Sequence, residues 1–149
     1  MLTRISTLAF VLCFVPAIAC AGDDPNQSDL AKLHGTWTMV SGERGGAALP
    51  DSMIKTGKRV CKDDEVTVEV GGMVIVHATV KLDATTNPKS IEYHVISEDP
   101  KGLVQLGIYE ITGDTVKFCF ANPDKERPTG FTTKAGSGWT SSVWKRNKK

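Results

Sequence analysis

Three histidines, His34, His77 and His94, are the side chains best suited by type to metal or proton chemistry. If residues 83–88 form a loop between two strands, His77 falls directly opposite His94, where cross-strand side chains lie close together. Two imidazoles could hold a zinc ion weakly, whereas a catalytic zinc site needs three protein ligands. The same strand parity that turns Val76 inward turns both histidines outward, so the pair is expected to be an exposed one, with no metal. The acidic run Asp63-Asp64-Glu65 stands at a strand start, where charges are ordinarily solvated. The loop "GERGG" at 42–46 has no helix after it to aim a dipole at a phosphate. Neither Gly-x-Ser-x-Gly nor His-Glu-x-x-His occurs. The residues therefore point away from an enzyme, and no cofactor is called for.

Two further groups carry chemistry of a milder kind. Arg127, in "KERPTGF", precedes a proline and could pair with Asp114 or Glu110, or grip a ligand at the mouth of a barrel. The aromatic residues Trp37, Tyr93, Tyr109, Phe118, Phe120 and Phe131 could line a pocket or fill a core. Both uses stay open from the sequence.

The elements that must position these residues are strands. Short apolar or alternating runs recur between Gly, Pro, Asn and Asp: "TWTMVSG", "EVTVEV", "MVIVHATVKL", "SIEYHVIS", "LVQLGIYEI", "TVKFCFA", "TGFTTK" and "WTSSVWKR". Eight runs at this spacing indicate an all-β sandwich or barrel. Short connections make sequential strands neighbours, which favours an antiparallel up-and-down barrel. A short N-terminal helical turn, capped by Ser28 or Asp29, precedes the first strand. Period two places Val74, Val76, Ala78, Val80 and Leu82 on one face of the third strand, opposite Ile91, Tyr93 and Val95. Tyr109, Val116, Phe118 and Phe120 share a face with Gly107. A plain two-residue turn at Gly71-Gly72 pairs Val68 with Ile75, which conflicts with those faces and calls for a bulge.

The first 21 residues are expected to be an export signal. Arg4 is the only charge before Asp23, and an apolar run from Ile5 to Ile18 follows it. That run is short for a membrane span. Ala17-Ile18-Ala19 and Ala19-Cys20-Ala21 both fit a small-x-small cleavage site. Ala17-Ile18-Ala19-Cys20 is also close to a bacterial lipobox, which would lipidate Cys20 and tether the protein to a membrane; its first position prefers leucine. After this leader come a polar, disordered linker at 22–28 and one domain at 29–147. About 130 residues suffice for a single core.

The whole chain has a formal net charge of +1, and Arg4 accounts for it, so the exported part is neutral. Nucleic acid is not an expected partner, because phosphate binding needs a basic face. A monomer is expected, periplasmic or secreted, membrane-bound only if Cys20 is lipidated. Cys61 and Cys119 remain as an even pair, which an oxidising compartment could join. On the second and sixth strands of an up-and-down barrel they stand too far apart to bond.

The opening "HGTW" adds a resemblance. Gly-x-Trp at the start of the first strand, after a helical turn, resembles the lipocalin pattern, in which the tryptophan plugs the closed end and an arginine on the last strand stacks over it. The matching residues are Gly35, Trp37 and Arg146. "LAKLHGTWTMVSGERGGAALP", "VKLDATTNPKSIEY", "LGIYEITGDTVKFCFANPDKERPTGF" and the closing "VWKR" resemble a small lipocalin-like domain family expanded in planctomycete bacteria. The resemblance implies a lipocalin-like barrel with an export signal, and carries no activity with it. The expected function is non-catalytic: binding a small apolar or amphipathic ligand through Tyr93, Tyr109, Phe118, Phe120, Arg127 and Phe131. The rival is a structural or protein-interaction module with a filled barrel.

Overall fold

The structure is a computed structural model that describes residues 22–97 and 102–148. The expected leader at 1–21, with Cys20, lies outside the described residues. None of the described helices is long and apolar enough to cross a membrane.

The chain enters through α1 (Pro25–Leu33), which starts earlier than the expected cap at Ser28 or Asp29. The Asp24 carboxylate caps it, accepting from the Asn26 N–H at 3.0 Å, and Pro25 supplies the fixed φ that suits a first turn. Most of the expected linker at 22–28 is therefore helix. Asp29 and Leu33 on this helix are buried.

Strands β1 (Gly35–Arg44), β2 (Ala47–Ala48), β3 (Lys58–Lys62), β4 (Glu65–Val70), β5 (Met73–Asp83), β6 (Lys89–Val95), β7 (Val104–Thr112), β8 (Thr115–Ala121) and β9 (Trp139–Arg146) follow, with α2 (Asp51–Thr56) between β2 and β3. Each strand pairs antiparallel with its neighbour in sequence, except that β1 pairs with both β2 and β3, and β9 returns to pair with β1. The described residues thus close an eight-stranded antiparallel up-and-down barrel, to which β2 adds a two-residue arm. Closure leaves no long free edge for another chain to extend.

Two strand assignments differ from expectation. "KRVCK" is a strand, β3, while "TGFTTK" is not. The hairpin of β3 and β4 turns at Asp63-Asp64, with Asp63 at φ 54°, and sets Cys61 opposite Val66 and Arg59 opposite Val68. The strand was hidden because an inward position holds an arginine. Residues 122–138 instead lie over the outer wall. Arg127 Nη1 donates to the carbonyls of Ile91 at 2.8 Å and Gly107 at 2.6 Å, and Nη2 reaches Glu92 at 3.1 Å. The Thr133 N–H donates to Glu43 at 2.7 Å. Ile108, Cys119 and Ala121, outward by parity, are buried under this strap.

Register follows the expected parity with one slip and two bulges, one of them between Met39 and Ser41 where β1 pairs with β9. Ala78 opposes Val95 and Thr79 opposes His94, two residues away from the expected pairing. The slip arises because β5 runs on to Asp83, which shifts the turn. Val68 opposes Val76, with a register shift between Val68 and Glu69; this bulge resolves the conflict at Gly71-Gly72. Gly107 faces Phe120 across β7 and β8. A Cβ at Gly107 would stand 2.4 Å from Phe120 Cδ1 and 2.8 Å from the Cys119 carbonyl oxygen. Glycine is what lets the Phe120 ring lie across that strand.

Candidate functional site

The barrel has a solid floor and an open chamber. At the floor Trp37 is fully buried and donates from Nε1 to the Leu33 carbonyl at 3.0 Å. The Arg146 guanidinium lies 4.2 Å from its ring centre. That guanidinium donates to the His34 carbonyl at 2.7 Å and to the Lys32 carbonyl, tying α1 across the end of the barrel. Gly35 sits at φ +110°, and a Cβ there would be 3.4 Å from Arg146 Nη1. The glycine is needed for its backbone angle, since that Cβ would only touch the arginine at an ordinary contact distance.

Beside Trp37 the Asp29 carboxylate receives Lys32 Nζ at 2.9 Å, Lys89 Nζ at 2.6 Å and the Tyr109 hydroxyl at 2.9 Å. Burial alone pushes this carboxyl up, but the hydrogen bonds from Lys89, Lys32 and Tyr109 outweigh it and hold it below the ordinary value. Tyr109 titrates well above the usual phenol range, first through burial and then through its bond to Asp29. Tyr109 therefore belongs to the floor, not to a ligand mouth as expected.

Above the floor the side chains do not fill the barrel. A cavity of about 150 Å³ opens between the eight barrel strands β1 and β3 to β9, under α2. Its walls are mostly apolar. Phe120 packs on Tyr93 with ring centres 4.3 Å apart, and on Phe118 at 5.9 Å. These three expected site residues do come together. Arg127 and Phe131 do not join them. Arg127 is fastened to the outside of β6 and β7, pairing with Glu92 and not with Asp114 or Glu110. Phe131 is half-buried on the outer wall, with Lys117 Nζ 5.4 Å from its ring centre. Both lie outside because the strap folds down along the barrel instead of standing at its mouth. The cross-strand histidine pair is absent as well: His77 bonds Glu65 at 2.5 Å, and His94 bonds Glu92 at 3.0 Å.

The residue that sequence reasoning missed is Arg59. It is 1% exposed, directly opposite Trp37 on one side and Val68 on the other, and it lines the cavity. Nη1 donates to the Tyr93 hydroxyl at 2.7 Å, and the guanidinium lies 4.4 Å from the Phe118 ring centre. Nε and Nη2 have no hydrogen-bond partner among the described residues. Burial pushes Tyr93 up to about 12, and the nearby Arg59 charge only partly offsets it. Burial likewise raises Cys61 despite Arg59. Both neighbours stay neutral near pH 7, so neither supplies Arg59 with a counter-charge. Cys61 and Cys119 are buried and unbonded, the latter on the seventh barrel strand because β3 adds one to the count.

No family model matches this chain, and neither does any curated protein or solved structure.

Proposed function

We propose that this chain is an exported, non-catalytic binding protein that takes a small apolar or amphipathic molecule into the open half of a lipocalin-like barrel. The observation that carries this reading is the 150 Å³ cavity with apolar walls. An eight-stranded barrel either packs solid or holds one small ligand, and here the packing stops above Trp37. The Gly35-Trp37-Arg146 floor supports the lipocalin comparison, and the leader at 1–21 supports export to the periplasm or beyond. Lipidation at Cys20 is the alternative that would keep the protein at a membrane.

A second reading has its own observation. Met73, Val74 and Ile75 are 70%, 57% and 54% exposed at the β4–β5 turn, on the rim of the chamber. Such an apolar rim fits an interaction module, although Ile75 also lines the cavity, as a ligand's entry would require. Native mass spectrometry of the protein purified from its own host separates the two. A co-purifying small molecule supports the binding protein. An empty barrel that also takes up no apolar fluorescent probe overturns it in favour of the interaction module.

A further inference from the structure

We propose that the chamber selects a monocarboxylate, and that Arg59 is the residue that receives its charged end. This deepens the reading of the chamber as a ligand site and rests on it. Three observations carry it. First, a guanidinium cannot be neutralised at ordinary pH, so a buried one needs an anion or several acceptors. Arg59 has one neutral hydroxyl and two aromatic faces.

Second, the two unpartnered donors are Nε and Nη2. These lie along one edge of the guanidinium, the edge that takes both oxygens of a carboxylate in a two-bond fork. The third bond, Nη1 to the Tyr93 hydroxyl, holds the plane of the group and leaves that edge unpartnered, with both atoms sealed from water, so neighbouring side chains must give way for a carboxylate to reach it. Third, the chamber wall among the described residues contains two arginines, Arg44 at the mouth and Arg59 at depth, and no aspartate or glutamate. The only buried carboxylate described in the barrel, Asp29, is occupied at the floor.

The cavity's size limits the rest of the ligand. An engineered apolar cavity of about 150 Å³ holds benzene, so the enclosed part here is of aromatic-ring or short-chain size. A longer tail would pass out beside Ile75. One buried positive charge balances one negative charge, which favours a monocarboxylate over a doubly charged phosphate.

The test compares two ligands of equal size, benzoate and benzyl alcohol, titrated calorimetrically into the full exported protein, with an apolar fluorescent probe run alongside. The parent is expected to bind benzoate at least ten times more tightly than benzyl alcohol. Arg59→Met should lose at least tenfold in benzoate affinity and keep benzyl alcohol. If Arg59→Met does not fold, Arg59→Lys keeps the charge without the fork and should lose most of the preference. Equal binding of the two ligands by the parent overturns the carboxylate proposal and leaves the chamber standing. Probe uptake with neither benzoate nor benzyl alcohol bound overturns it in the same way. A benzoate preference that survives in both variants overturns the role of Arg59. Failure of probe, acid and alcohol alike overturns the binding function itself.

Discussion

Asp29 at the floor and Arg59 in the chamber are both nearly sealed from water, at 3% and 1% exposure, yet their surroundings differ in kind. Asp29 is met by two ammonium groups and a phenol. Arg59 is met by a phenol and by aromatic faces, with two of its three guanidinium nitrogens idle. Burying a charge is unfavourable unless it is paired. The floor obeys that rule with a surplus of partners, while the chamber breaks it. The difference teaches where the fold is held together and where it keeps something in reserve. Local departures from good packing chemistry concentrate at functional sites.

The contrast can be broken most severely at the floor. Trp37→Ala removes a fully buried indole, its bond to the Leu33 carbonyl and the surface on which Arg146 rests. A loss of about 3–5 kcal/mol is expected from urea unfolding. Arg146→Ala should cost less, about 1–2 kcal/mol, because its polar partners, the His34 and Lys32 carbonyls and the Asp114 carboxylate, are ones that water can reach. A Trp37→Ala protein as stable as the parent would show that the floor is not what holds the barrel shut.

Asp29→Asn comes next, at about 3 kcal/mol. That is the low end for breaking a buried pair, since Lys32 and Lys89 are 54% and 41% exposed and can turn to solvent. The sign with pH follows from the direction of the shift. The folded protein holds Asp29 below its ordinary value of 3.8, so its contribution is complete above that pH and fades as pH falls through the folded value. The parent's urea midpoint should therefore drop below about pH 4, and Asp29→Asn should lack that part of the dependence. An unchanged acid limb in the variant would mean the network contributes nothing to folding.

Most of the floor was legible in the sequence, and the chamber's key residue was not. Gly-x-Trp and Arg146 carry a recognisable spacing, and period two correctly grouped Tyr109, Phe118 and Phe120 with Gly107. The β5–β6 register slipped by two because the length of its loop is not fixed by composition, though parity survived, since a two-residue slip preserves faces. Arg59 was passed over because "KRVCK" offers charge where a barrel strand should show an apolar inward residue. One signal was available. A two-residue turn at Asp63-Asp64, before the clear strand "EVTVEV", forces Cys61 opposite Val66 and Arg59 opposite Val68, inward. Arg127 and Phe131 were misplaced for a different reason: nothing local says whether a long connection stands above a barrel or lies along its side.

Gly107→Ala probes the boundary between the two regions and is expected to cost about 2 kcal/mol. Its new methyl would meet the Phe120 ring and a backbone carbonyl, and only the ring can move. Because Phe120 lines the cavity, the shift should also reduce uptake of an apolar probe. Loss of stability with probe binding unchanged would show that the ring moves away from the chamber, and that the chamber's wall is set elsewhere.

Arg59→Met should have the smallest effect on stability, within about 1 kcal/mol of the parent, although the residue is as buried as Trp37. Two opposing terms meet there. Removing Arg59 relieves a desolvated charge with two idle donors, and replacing buried charges by apolar groups of similar volume is often neutral or stabilising. Against this, the Tyr93 hydroxyl loses its partner, which costs about 1–3 kcal/mol when buried, and Phe118 loses its cation. Adding Tyr93→Phe removes the stranded hydroxyl, so the double variant should be at least as stable as the parent. Urea unfolding of the parent, both single variants and the double variant closes the cycle and isolates the coupling of the pair. A loss of several kcal/mol in the double variant would mean that Arg59 holds the barrel together as Asp29 does. The two buried charges would then be alike, and the chamber would hold no charge in reserve for a ligand.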